Sequence, residues 1–147
     1  MKLKDFDFRI WSVKKEKYLD DLYNNIISLS SDKSIKGYNR NYKILAIEFS
    51  PYDSIPLMND NEECFEIELF TGVYDKKGKK VYENDIVKVK SLYDYFLAKI
   101  SIHKEGTFYF EGKNGDYIGS LIYLVEDEGY TIETIGNIHE NKELLKG

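Results

Sequence analysis

Four residue groups in this chain have side chains capable of bond-making or metal chemistry. They are Cys64, His103, His139 and the run Glu126-Asp127-Glu128-Gly129. A zinc centre needs about four cysteine, histidine or carboxylate ligands converging on one point. Cys64, His103 and His139 are far apart in sequence and show no paired spacing, so no metal site is expected. A cysteine nucleophile needs an environment that favours the thiolate. Cys64 follows Glu62-Glu63, whose negative charges oppose it. The acidic run lacks the ligand order and loop length of a calcium-binding helix-loop-helix and reads as a solvated loop. No glycine-rich loop opens a helix to cradle phosphate, and no Ser-His-Asp set is suggested. An enzyme would require a pocket gathering at least two of Glu83, Asp85, His103 and His139. The expectation is therefore no enzyme: no catalytic residues, no cofactor and no metal.

Binding chemistry has more candidates. Lys76, Lys77, Lys79 and Lys80 surround Gly78 and form a basic turn that suits phosphate or an acidic partner. The plainer reading is a solvated rim on a tight turn. Trp11, Tyr82, Tyr93, Tyr95, Tyr109 and Tyr117 offer three uses. They can stack bases, line a dimer seam, or serve as core edges and cross-strand pairs, the last being the commonest fate of such residues.

These residues must be positioned by a small β scaffold. The chain has 147 residues, enough for one domain or two joined lobes. Aromatics make up 15%, including 13 Tyr, which suits sheets that are only half covered. The formal net charge of −5 disfavours a non-specific grip on polyanions. A single cysteine allows no internal disulfide and fits a reducing cytoplasm. "MKLKDFDFRIW" carries charges where a signal peptide needs an apolar core. No apolar run approaches the roughly 20 residues needed to cross a bilayer. A cytoplasmic protein with no membrane partner is expected.

Alternation of Phe6, Phe8 and Ile10 against Asp7, Arg9 and Trp11 predicts a half-buried strand, followed by a turn and a return at Tyr18 and Leu19. Leu22, Ile26 and Leu29 favour a short helix, with Asp20 or Asp21 capping its first turn. Residues 30–41 read as a polar loop and "YKILAIEF" as a strand. "SPYDSIPLMNDNEE" holds both prolines and reads as an excursion or joint. In "FEIELF", Phe65, Ile67 and Leu69 are expected inward and Glu66 and Glu68 outward. "VYENDIVKVK", "FLAKISI", "TFYFEG" and "YTIETIG" read as further strands, with Asn114-Gly115 as a type I′ hairpin turn. "SLIYLV" fits strand or helix. The tail reads as a last helical turn capped by Asn141, with Leu144 and Leu145 folding back. Many short strands call for closure that removes exposed edges. The fold class expected is mainly β with minor helix. Residues 65–147 would form an SH3-like, partly open small barrel, and residues 1–64 an N-terminal β/helix lobe.

Within "TGVYDKKGKKVYENDIVKV", residues 71–89, Asp75 is placed to accept amide hydrogen bonds and Gly78 to take positive φ. Asn84 suits a left-handed corner, Asp85 bonds local amides, and Val87 and Val89 face the core. This stretch resembles the signature of the YopX family of phage and prophage proteins, through Thr71, Gly72, Asp75, Lys76, Gly78, Lys79, Tyr82, Glu83, Asp85, Ile86 and Val87. Phe8, Arg9 and Trp11 resemble the family's opening, and Ile135 to Leu145 its closing segment. Asn84 stands where the family carries glycine, His139 where it carries tyrosine, and Lys142 where it carries proline. Residues 20–64 lie outside the matching segments. The resemblance implies a mostly β phage protein with an SH3-like C-terminal portion, and it supplies no catalytic residues. The expected function is that of a non-enzymatic accessory protein of the bacterial host cytoplasm. It would act through protein contacts and self-association as a homo-oligomer. The alternative is a nucleic-acid-binding module using the basic turns and aromatic faces.

Overall fold

The computed structural model describes residues 2–19, 25–30, 44–49, 53–56 and 65–146. The fold is mainly β, with short helical turns and curled antiparallel sheets. Two compact units divide the chain. One joins Met1–Phe8 to Glu68–Gly147 and the other is Arg9–Ile67.

In the Arg9–Ile67 unit, β1 (Phe8–Ser12) turns back into β2 (Lys17–Tyr18), as expected. The expected alternation does not hold. Ile10, Trp11 and Ser12 are buried in succession, and Phe6 is 46% exposed. Trp11 packs edge-on against Tyr18, and the Arg9 guanidinium lies 4.6 Å from the same ring. Both faces of β1 are thus occupied. β3 (Asn25–Ser30), β4 (Ile44–Phe49) and β5 (Asp53–Pro56) form a three-stranded sheet. This corrects two expectations. The helix over 22–30 is a strand where it is described, because all six residues of β3 pair in register with β4 from Asn25↔Phe49 to Ser30↔Ile44. A tertiary ladder overrides a weak helical period in a β-branched, serine-rich segment. The excursion over 50–63 contains β5, whose proline sits at the end of an edge strand, where its missing N–H is tolerated. The polar loop at 30–41 lies, beyond Ser30, outside the described residues, as do Cys64, Asp20 and Asp21.

The larger unit holds the remaining strands. They are β6 (Phe65–Tyr74) from Glu68 onward, β7 (Lys80–Tyr82), β8 (Asp85–Lys90), β9 (Tyr95–Ile102), β10 (Phe108–Glu111), β11 (Tyr117–Ser120) and β12 (Thr131–Asn137). Five of them form a sheet in the order β11-β10-β9-β8-β12, which curls with the β6–β7 hairpin into a half-barrel. Val73, Val81, Val87, Val89, Ala98, Ile100, Phe110, Leu121 and Ile132 fill its interior. "SLIYLV" resolves as the end of β11 running into a helical turn with π geometry over Tyr123–Asp127, from which Leu124 and Val125 pack on that core.

Three hairpins share one turn design. In each, the carbonyl of the first residue accepts from a glycine amide three residues on, and its amide donates to the carbonyl four residues on. The turns are Asp75 to Lys79, His103 to Thr107, and Gly112 to Asp116. Gly78, Gly106 and Gly115 all have positive φ. The 112–116 turn is therefore a three-residue loop with one left-handed position, not a type I′ turn: Asn114 keeps negative φ and Gly115 alone crosses over.

Asp75 closes the half-barrel. Its carboxylate accepts from the amides of Lys77 and Lys79 within its own turn, each at 2.9 Å, and from Thr134 of β12 at 3.1 Å. The Lys76 amide donates to the Ile132 carbonyl at 2.9 Å. The hairpin tip thereby covers the outer edge of β12, and Lys76 and Lys77 both clasp Glu133 on that strand. Upstream, Gly72 at φ 85 forms a bulge in the β6–β7 ladder. The Thr71 hydroxyl donates to the Val81 carbonyl and accepts from the Val73 amide, filling the gap.

Burial opposes the charged form of Asp75, but the amides of Lys79, Thr134 and Lys77 outweigh it and hold the carboxyl below its ordinary range. The Lys76 and Lys77 hydrogen bonds push Glu133 down to about 2. Carboxylates depressed in the folded state lend stability that is complete above their unfolded values, and that is lost as pH falls through the folded ones. Stability should therefore be level above about pH 5 and decline steadily from there toward pH 2. Denaturant midpoints measured across that window check the decline, and a flat profile contradicts it. Asp75→Ala strips a charged acceptor from three amides and should cost about 3 kcal/mol at neutral pH. An unchanged midpoint would refute the role given to this side chain.

Candidate functional site

The second polar node of the larger unit was not visible as such in the sequence. Glu68, expected to face solvent, is fully buried. Its Oε1 lies 2.6 Å from Nε2 of His139 and accepts from the Asn84 side-chain amide at 3.1 Å. A buried carboxylate must be hydrogen-bonded, and both partners are delivered by backbone devices. Asn84 sits at φ 67 in the corner between β7 and β8, where its own amide donates to the Ile100 carbonyl. The Ile138 amide donates to the Asn84 carbonyl at 3.1 Å, which draws in the turn after β12. Asn137 then fixes His139: its Oδ1 accepts from the amides of His139 and Glu140 at 3.0 and 2.9 Å. Asn141 does not cap the last turn (Lys142–Leu145) as expected. Its side chain reaches back to accept from the Asn137 amide at 3.2 Å. The alternation in "FEIELF" fails at Glu68 because the strand passes this polar node, which replaces apolar packing there.

The four residues whose gathering would mark an enzyme have separate tasks. Asp85 is buried and accepts from the Tyr82 amide at 2.9 Å. Glu83 donates its backbone amide to Leu69. His103 stacks on Tyr109 with ring centres 4.0 Å apart, and Tyr117 tilts against both. His139 meets the carboxylate of Glu68. An imidazole and a carboxylate are ligand-type groups, and here they bond to one another.

The six aromatics are likewise spread over different contacts. Tyr82 packs against Phe70 and donates its hydroxyl to Asp7 at 2.6 Å. Tyr109 and Tyr117 belong to the His103 cluster, beside Glu111, which is held by Lys99, Ser101 and Tyr109. Burial opposes the charge of Glu111, yet these partners keep its carboxyl below the ordinary range. Tyr95 carries the Lys88 ammonium 4.2 Å over its ring. Tyr93 touches almost nothing: it is 96% exposed, and the neighbouring Leu92 is 86% exposed. This tip is the clearest candidate for contact with another molecule. Of the basic turn, Lys76 and Lys77 engage Glu133, and Lys80 engages Asp7 at 2.8 Å.

Asn84 and His139, the two partners of Glu68, lie in the segments that carry the family resemblance. A family model described as YopX protein matches residues 7–146. The chain belongs to the YopX family. Two crystal structures are similar over nearly the whole chain. Protein EF1440 from Enterococcus faecalis is 25% identical, with 96% of this chain and 98% of that one covered and a TM-score of 0.57. The yopX protein from Bacillus subtilis is 21% identical, with 95% and 97% covered and a TM-score of 0.60, a likeness of fold. No curated protein matches the sequence. Five residues of the YopX signature have a backbone task. Thr71 and Gly72 make the bulge, Asp75 and Gly78 the closing turn, and Asp85 the corner that Asn84 completes.

His139 occupies the place where the family motif has tyrosine, whose hydroxyl is also a donor. His139→Tyr should keep the wild-type denaturant midpoint to within about 1 kcal/mol, while His139→Ala should lose about 2 kcal/mol by removing a donor from a buried carboxylate. Equal midpoints for the two variants would show that the node contributes nothing.

Proposed function

We propose that this YopX protein is a non-enzymatic accessory protein of phage or prophage origin that acts in the bacterial cytoplasm through contacts with protein, its own copies included. The observation that carries the reading is the β8–β9 tip. Two large apolar side chains, Leu92 and Tyr93, project almost wholly into solvent from a hydrogen-bonded turn. Apolar side chains held out in this way serve as anchors for a partner's pocket. The polar groups that sequence spacing offered to catalysis are instead engaged in holding strands and turns, which supports a role without bond-making.

A second reading, nucleic-acid binding through the small SH3-like barrel, draws on the His103, Tyr109 and Tyr117 cluster, since stacked rings on a sheet can accept bases. It is weakened by the basic turn, where three of the four lysines spend their charge on Glu133 and Asp7. The net charge of −5 points the same way.

Sedimentation velocity should show a concentration-dependent species larger than the monomer, reached by tens of micromolar. A single monomer boundary throughout that range argues against self-association. Gel-shift assays with single- and double-stranded DNA and RNA at low salt should show no retardation. A clear shift would move the second reading into first place.

A further inference from the structure

We infer that the end of the half-barrel bearing the β8–β9 tip is a self-complementary seam, and that its occupant is a second copy of this chain. The inference rests on the protein-contact reading above and adds to it the occupant and the matching groups.

Two halves meet at this end. β8 and β12 pair so that Lys90 stands opposite Thr131, and the Tyr123–Asp127 helix ends four residues before Thr131. The Tyr130 amide donates to the Leu124 carbonyl, so the helix ends where β12 begins, opposite the end of β8 that leads into the tip. On the tip side, Leu92 and Tyr93 are flanked by Lys88 and Lys90, both exposed. On the helix side, Ile122 and Tyr123 are 42% and 51% exposed. They are followed by Glu126, Asp127 and Glu128, all exposed. Each half is thus apolar at its centre and charged at its margin, with opposite signs. Among the described residues, no ion pair uses Lys88, Lys90, Glu126 or Asp127.

A patch with one basic and one acidic half is complementary to itself under a two-fold rotation. The basic half of each copy then lies on the acidic half of the other, and the contact is made twice. Such matching fixes the register and selects against wrong partners. The apolar anchors are presented rigidly. The Ser91 amide donates to the Asp94 carbonyl at 2.9 Å, the Asp94 amide to the Ser91 hydroxyl at 3.3 Å, and the Tyr95 amide to the Asp94 carboxylate at 2.7 Å. Little chain entropy remains to be lost when a turn already held this way is covered.

The test is a charge swap read by sedimentation equilibrium on the full chain. The variants are Lys88→Glu/Lys90→Glu and Glu126→Lys/Asp127→Lys, with circular dichroism confirming that each is folded. Alone, each should associate at least about tenfold more weakly than wild type, because like charges now face each other. An equimolar mixture should recover wild-type association, since every reversed group then meets its opposite. Leu92→Ser/Tyr93→Ser should weaken association by about a hundredfold. If wild type associates and these variants do so equally well, the seam is elsewhere and only this inference fails. If the single variants weaken but the mixture does not recover, the reciprocal matching is wrong. If wild type stays monomeric, self-association itself falls, and the seam with it.

Discussion

The larger unit depends on the carboxylate of Asp75. A curled antiparallel sheet with a hairpin beside it has an edge that must be paired, covered or charged. β12 is such an edge, and it is covered by a turn whose tip reaches it through one side chain and one amide. Because the same carboxylate also accepts from Lys77 and Lys79, the turn that does the covering is shaped by the contact it makes. A carboxylate can hold three donors at once, and a charged acceptor makes stronger hydrogen bonds than a carbonyl. The flanking lysines follow from this placement: they stand over β12 and neutralise Glu133 there. Lys76 and Lys77, whose plainer reading in the sequence is a solvated rim, form the outer layer of this closure.

The Glu68 node works at the other end of the same logic. Burying a carboxylate is costly unless its partners are held in place. Here the partners come from a corner residue, Asn84, and from the turn that follows the last strand, His139. Three segments distant in sequence are thereby tied to one atom. Such a node stabilises less than an apolar cluster of the same volume, but it tolerates few alternative registers. Gly136 belongs to the arrangement, since a Cβ there would lie 2.5 Å from the Asn141 side chain that braces Asn137.

The sequence disclosed the parts of this fold that are governed by local rules. Val87 and Val89 alternating with lysines, the glycines at hairpin turns and the left-handed Asn84 all follow from pleat and φ preferences. It misled wherever a distant partner decided the outcome. Glu68 is inward because of His139, 71 residues away, and nothing in "FEIELF" signals that. Residues 25–30 are a strand because β4 is there to pair with them. Asn141 braces Asn137 instead of capping, since a turn that must present His139 leaves its cap residue another task. One clue to Glu68 was available: a strand glutamate followed, near the end of the chain, by a histidine where the family signature has another hydrogen-bond donor.

The repeated turn design bears on how the chain reaches its native state. Pairing across a short connection forms early, because little loop entropy opposes it, whereas pairing between remote segments is slow. The three like-built turns let β6 find β7, β9 find β10, and β10 find β11 as neighbours. β12 joins β8 from more than one hairpin away, and Asp75 can bind Thr134 only after that. On a ribosome the half-barrel therefore stays an open ribbon until its last strand has emerged. Its unpaired β8 edge is the surface that nascent or truncated chains leave exposed to one another.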